Sequence, residues 1–175
     1  MEFTFETDYN SQALEAMAKV LRKTIRKKRS RLSHIFGWLI IAAAILLTLP
    51  PSGEALTVDF RAVITWLMAA ALLFVLLFED KLNGYIARKR MLAGMERATT
   101  VFSDEGYVTT TNMGKTEFPY DRNISLVAET KDYFVFIFDK SHAQVYDKRT
   151  LSGGSVQGFR EMLAEKTGKE LVPMT

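Results

Sequence analysis

The chain has 175 residues, of which 48% are hydrophobic and 25% charged, with a formal net charge of +3. It contains no cysteine, which excludes a disulfide framework and thiolate metal or redox chemistry while leaving the compartment open. The mean hydropathy of +0.02 averages two apolar runs against a polar remainder, so there is room for a helical hairpin and one small domain.

Glu2-Phe3-Thr4-Phe5-Glu6 alternates polar and apolar residues with both phenylalanines on one face, which predicts a short strand. A lone strand is not stable and nothing adjacent in sequence can pair with it. The expected partner is a sheet edge within residues 99–147, which would make everything between an insertion in one folded unit. Thr7 or Asp8 can cap the next helix, where Leu14, Met17, Ala18, Leu21 and Ile25 recur as one apolar stripe. Residues 1–33 therefore read as an N-terminal strand and a basic amphipathic helix that runs on into the first apolar run. From residue 16 to residue 33 there are eight basic residues and no acid. Arg26, Lys27, Lys28, Arg29 and Arg31 are candidate contacts for anionic lipid headgroups, each contributing about 1 kcal/mol near a membrane surface. The plainer reading of the same cluster is a topology signal.

Residues 35–49 and 62–78 carry no ionisable side chain and are separated by twelve positions. This is the pattern of a transmembrane helical hairpin over residues 34–78, with spans at about 34–50 and 61–78. A cleaved signal peptide fits poorly, because more than thirty residues precede the first run and a second run follows Pro50-Pro51. Lys81, Arg88, Lys89, Arg90 and Arg97 follow the second run, whereas residues 50–60 hold only Glu54 and Asp59 as charged groups. Basic flanks stay on the cytoplasmic side, so both termini are expected inside and residues 52–54 outside. Trp38 and Trp66 suit interfacial anchoring or packing between the helices. Residues 79–97 are rich in helix formers and predict a juxtamembrane helix.

A change of composition near residue 98 opens the last region, residues 98–175. Strands are predicted at 99–102, 107–112, 116–119, 124–129, 133–139 and 143–146, separated by turns such as Ser103-Asp104-Glu105-Gly106. In the strongest of these, Phe134, Phe136 and Phe138 lie on one face and Tyr133, Val135 and Ile137 on the other, so both faces should be covered. Ser152-Gly153-Gly154-Ser155 then opens a helix through about Lys166, with Phe159, Met162 and Leu163 inward and Gly168 as the stop. The fold class expected is an α+β membrane protein: a two-helix hairpin plus a small antiparallel β module closed by a C-terminal helix.

This layout resembles the YcxB-like family of bacterial two-span membrane proteins. The resemblance is carried by Phe118-Pro119-Tyr120-Asp121-Arg122-Asn123-Ile124, the strand at 133–139, Val145-Tyr146-Asp147-Lys148-Arg149 and the helix around Phe159-Arg160. Family members usually carry a proline where this chain has Tyr146-Asp147-Lys148-Arg149. The resemblance implies a C-terminal domain similar to bacterial pleckstrin-homology (PH)-like folds. It also implies a place, the bacterial cytoplasmic membrane with both termini cytoplasmic, but no reaction.

The residues themselves offer little chemistry. His34 and His142 are the only histidines and neither has a ligand set at metal spacing; no P-loop, nucleophile elbow or dinucleotide glycine pattern occurs. Lys148, Arg149, Ser152, Gly153, Gly154 and Ser155 form a candidate weak anion site, since backbone N–H groups at a helix start bind anions. The competing reading is an ordinary strand-to-helix connection with a serine cap. The tail, with nine basic and eleven acidic residues over 98–175, has no nucleic-acid footprint. The apolar runs 35–49 and 62–78 hold no ionisable group, which argues against transport, and a two-span chain would have to form a homo-oligomer to enclose a path. The expectation is a non-enzymatic interaction or scaffold module, without cofactor, that meets the bilayer and an unknown protein partner. The alternative is an accessory or immunity-type subunit acting on another membrane complex through its hairpin.

Overall fold

The computed structural model describes residues 2–50, 59–120 and 124–174. The expected outer loop at 52–54 and the Asp121-Arg122-Asn123 part of the family-like stretch lie outside the described residues.

Strand β1 (Phe3–Asp8) buries Phe3, Phe5 and Thr7 and turns Glu6 and Asp8 outward, the pattern expected of a strand with one covered face. It pairs antiparallel with β2 (Arg97–Phe102), in a register running from Phe3 opposite Phe102 to Asp8 opposite Arg97. The predicted pairing of the two ends of the chain is therefore present, and residues 9–96 are inserted between two hydrogen-bonded neighbours. The sheet continues through β3 (Gly106–Thr111) and β4 (Gly114–Pro119) in the order β1-β2-β3-β4. A second sheet has the order β7-β6-β5-β8, from β5 (Leu126–Glu129), β6 (Tyr133–Ile137), β7 (Ala143–Asp147) and β8 (Leu171–Pro173). β8 runs parallel to β5 and was not foreseen, because three residues are too few to show a period.

β1 also joins the two sheets. Thr4 and Ser152 exchange both backbone hydrogen bonds at 2.9 Å, the Glu6 amide donates to Thr150 Oγ1, and the Asp147 amide donates to Thr7 Oγ1. Between the sheets Phe3, Phe5, Phe102, Tyr107, Phe134, Phe136 and Tyr146 form a fully buried aromatic core. α5 (Val156–Thr167) closes one end of it by inserting Phe159 among Phe3, Phe5, Phe102 and Phe134. Ser155 caps this helix by accepting from the Gly158 amide, and Gly168 ends it at φ +61°.

The outer face of β6, Tyr133, Val135 and Ile137, is buried under α1 (Ser11–Lys23), which contributes Ala13, Val20 and Leu21. The cap of α1 is Asn10, whose side chain accepts from Ala13 N at 2.9 Å, not Thr7 or Asp8. Both of those belong to β1, and Asp8 pairs with Arg97 at 2.8 Å. α1 packs on α4 (Glu79–Arg90), with Gly84 so close that a Cβ there would lie 2.8 Å from Glu15 N.

α2 (Lys27–Thr48) and α3 (Phe60–Leu77) are long and apolar enough to cross a membrane, and most of their large side chains are not covered by protein. They touch closely where Gly37 meets Leu76. The expected continuous helix from residue 8 into the first span is broken at residues 24–26. The Thr24 hydroxyl turns back onto Val20 O at 2.6 Å and the Arg26 amide reaches Leu21 O, one residue beyond helical spacing. α3 and α4 are likewise separated at Phe78.

Candidate functional site

The two helix breaks meet in a polar knot. Arg22, in the last turn of α1, grips Asp80 with Nε and Nη2, both at 2.6 Å, a bidentate charge-assisted pair. Its bond to Asp80, opposed by partial burial, holds the Arg22 guanidinium above its ordinary pKa. Glu79 Oε2 lies 2.8 Å from His34 Nε2 and accepts from Ser30 Oγ at 3.4 Å. Glu79 and Asp80 occupy the first turn of α4, where acids complement the helix dipole. His34, which has no partner nearby in sequence, is thus bound to a carboxylate 45 positions away. A notch beside this knot is lined by Arg22, Ser30, Arg31, His34 and Ile35.

The five cations singled out from sequence divide here. Arg26 turns towards the β module and donates from Nε to the Lys140 carbonyl at 2.8 Å, tying the helix break to the β6–β7 turn. Lys27, Lys28, Arg29 and Arg31 lie exposed on the first turns of α2.

The residues of the candidate anion site also make contacts that hold the fold, although Arg149 and residues 152–155 stay exposed. Lys148 pairs with Glu129, donates to Thr130 O at 2.5 Å and lies 4.8 Å from the centroid of the Phe134 ring. Arg160 binds the same carboxylate at 2.6 and 2.9 Å, joining α5 to β5. Burial pushes the Glu129 carboxyl up, but the bonds from Arg160 and Lys148 outweigh it and leave the group below the usual range. Arg149 is held by Asp147, whose carboxyl that contact lowers. Gly153 has φ +84° and Gly154 faces Phe3, where a Cβ would come within 2.4 Å of the ring. In this structure both glycines admit β1, and the Ser152 amide is spent on Thr4. A sequence reading could not see this, because the strand that fills the loop lies about 150 positions upstream.

At the end of the sheets away from α5, a cleft is lined by Thr109, Thr111 and Thr116 from one sheet and Gln144 from the other, together with Tyr9 and Met95. Burial pushes the Tyr9 phenol up to about 12. A second cleft shares Phe118 and Gln144 and reaches Phe138 and His142. His142 Nδ1 lies 2.7 Å from Asp139 Oδ2, an exposed pair within one turn and a carboxylate contact the sequence reading passed over. Among the described residues, no group of three His, Asp or Glu side chains is arranged to hold a metal ion.

No curated protein and no solved structure matches the chain. The model of the family described as YcxB-like protein matches residues 102–163, from the last residue of β2 into α5, and over this stretch the chain is similar to that family.

Proposed function

We propose that this is a multi-pass protein of the bacterial cytoplasmic membrane, with both termini cytoplasmic, whose hairpin anchors a PH-like, non-enzymatic interaction or scaffold module. The observation that carries the reading is the pairing of β1 with β2 across the inserted helices. An anchor appended to one end of a domain leaves it free to tumble. An anchor inserted between two paired strands, with α1 packed on β6 and β7 and Arg26 tied to the β6–β7 turn, holds the module in one orientation to the bilayer. Two stacked sheets closed at one end by a C-terminal helix support the PH-like description. The threonine-lined cleft at the open end, beside the unpaired edge of β4, is the surface offered to a protein partner.

Replacing residues 35–48 and 60–77 by an unrelated apolar hairpin tests the proposal, because the knot and the module stay intact. In-cell crosslinking with mass spectrometry should recover the same partner from the parent and the chimera. Loss of that partner from the chimera would favour the accessory-subunit reading, in which the hairpin itself makes the contact.

A further inference from the structure

We infer that the first three turns of α2 form a seat for one phospholipid of net negative charge; the inference rests on the hairpin spanning a bilayer. Positions 27, 31, 34, 35 and 38 follow each other at helical spacing along one side of α2, so Lys27, Arg31, His34, Ile35 and Trp38 share a face. Along that face the chemistry changes in the order a phospholipid presents it. Lys27 and Arg31 are cations, His34 and the notch beside it lie at the boundary, and Ile35 and Trp38 are more than half exposed. Trp38 lies seven residues beyond Arg31, about 10 Å deeper at the α-helical rise. That sets the indole below the cations, on the side of the interface where tryptophans anchor.

The polar knot decides the sign of the seat. Glu79 and Asp80 would repel an anion if they were free, but both face inward onto Arg22, Ser30 and His34. The cations left exposed along α2 itself are Lys27, Lys28, Arg29 and Arg31. Arg26 lies outside the seat because its guanidinium is directed to Lys140 O of the β6–β7 turn and not along α2. The site therefore differs from a diffuse basic flank: it has a wall (the notch), a fixed depth and a defined pair of cations.

The two tryptophans of the chain allow a direct test. Trp66 donates to Thr48 Oγ1 at the far end of the hairpin, so Trp66→Phe leaves Trp38 as the only reporter, with Trp66→Tyr as a second background. The full-length variant is reconstituted into phosphatidylcholine bilayers containing an equal mole fraction of brominated phosphatidylglycerol or brominated phosphatidylcholine. Phosphatidylglycerol should quench Trp38 with a relative affinity about fivefold or more above that of phosphatidylcholine. Lys27→Gln with Arg31→Gln should bring the ratio close to one, while the charge-matched pair Lys89→Gln with Arg90→Gln, at the far end of α4, should leave it unchanged. Equal quenching by the two lipids in the parent overturns the seat, as does an equal loss in both double variants, which would mean diffuse attraction only. Millimolar inorganic phosphate should not abolish the preference; if it does, the site takes a free anion and the lipid assignment is wrong. Absence of quenching by either lipid would instead remove the membrane-spanning reading on which the seat depends.

Discussion

Phe5 is the residue on which the joining of the two chain ends depends most. It is fully buried, with ring centroids 4.7 Å from Phe159, 5.7 Å from both Phe102 and Tyr146, and 6.2 Å from Phe134. It therefore touches both sheets and the closing helix at once. Truncating a buried phenylalanine costs about 3–5 kcal/mol through lost transfer energy and an unfilled cavity, against a total of about 5–15 kcal/mol for a domain. At roughly 4–8 °C per kcal/mol for a unit of this size, Phe5→Ala should lower the melting temperature of the module by at least about 12 °C. Near-UV circular dichroism of the full chain in detergent, with Trp38 and Trp66 replaced by phenylalanine in parent and variant alike, follows the tyrosine and phenylalanine core. Glu6→Ala, on the outward side of the same strand, is the control and should change stability by no more than about 0.5 kcal/mol. A Phe5→Ala protein melting within about 4 °C of the parent would refute the argument. So would an isolated 98–175 fragment that folds as stably as the whole chain.

Gly154→Ala should destabilise by about 1–3 kcal/mol because its Cβ would press on the Phe3 ring, whereas Gly158→Ala, whose nearest neighbour is at 3.4 Å, should gain up to about 1 kcal/mol of helix propensity; urea melts that rank the two equally would contradict this packing. The carboxyl of Glu129 titrates lower when folded than when unfolded, so its contribution is complete above its unfolded pKa and is lost as pH falls through the folded one. The stability difference between parent and Glu129→Gln should accordingly shrink between pH 6 and pH 3, and a difference independent of pH would exclude the ion cluster as its source. Single cysteines at Ser11, Ser52 and Thr167, treated with a membrane-impermeant thiol reagent in intact spheroplasts, should label only at Ser52. Labelling at Ser11 or Thr167 would reverse the proposed topology.

Patterns that repeat within a few residues were legible in the sequence. The alternation of Phe3 and Phe5, the two-faced apolar run at 133–137 and the serine–glycine punctuation of α5 each encode a local element, and each element is present. The pairing of β1 with β2 was legible for a different reason, one of elimination: a strand must satisfy its backbone, and the hairpin returns the chain to the same place. The helix break at residues 24–26 was hidden because the apolar stripe continues through Ile25 and no proline or glycine marks the stop. At the break the Thr24 hydroxyl joins its own amide on Val20 O, the Arg26 amide slips to Leu21 O, and the Arg26 side chain reaches Lys140, a contact that exists only after folding.

The polar clusters were illegible on the same grounds. A positively charged run at residues 22–31 looks uniform in sequence, yet folding assigns its members different work. Arg22 neutralises Asp80, Arg26 ties down a turn, and Lys27, Lys28, Arg29 and Arg31 remain exposed. Lys148 and Arg149 look equally available beside two glycines, but each meets a carboxylate, and β1 fills the loop that the glycines open. The available charge of this protein is what remains after such pairing. Composition alone therefore misplaces it: Arg22, Lys148 and Arg160 close the fold against carboxylates, while four cations stay exposed together on the first turns of α2, where the apolar surface begins.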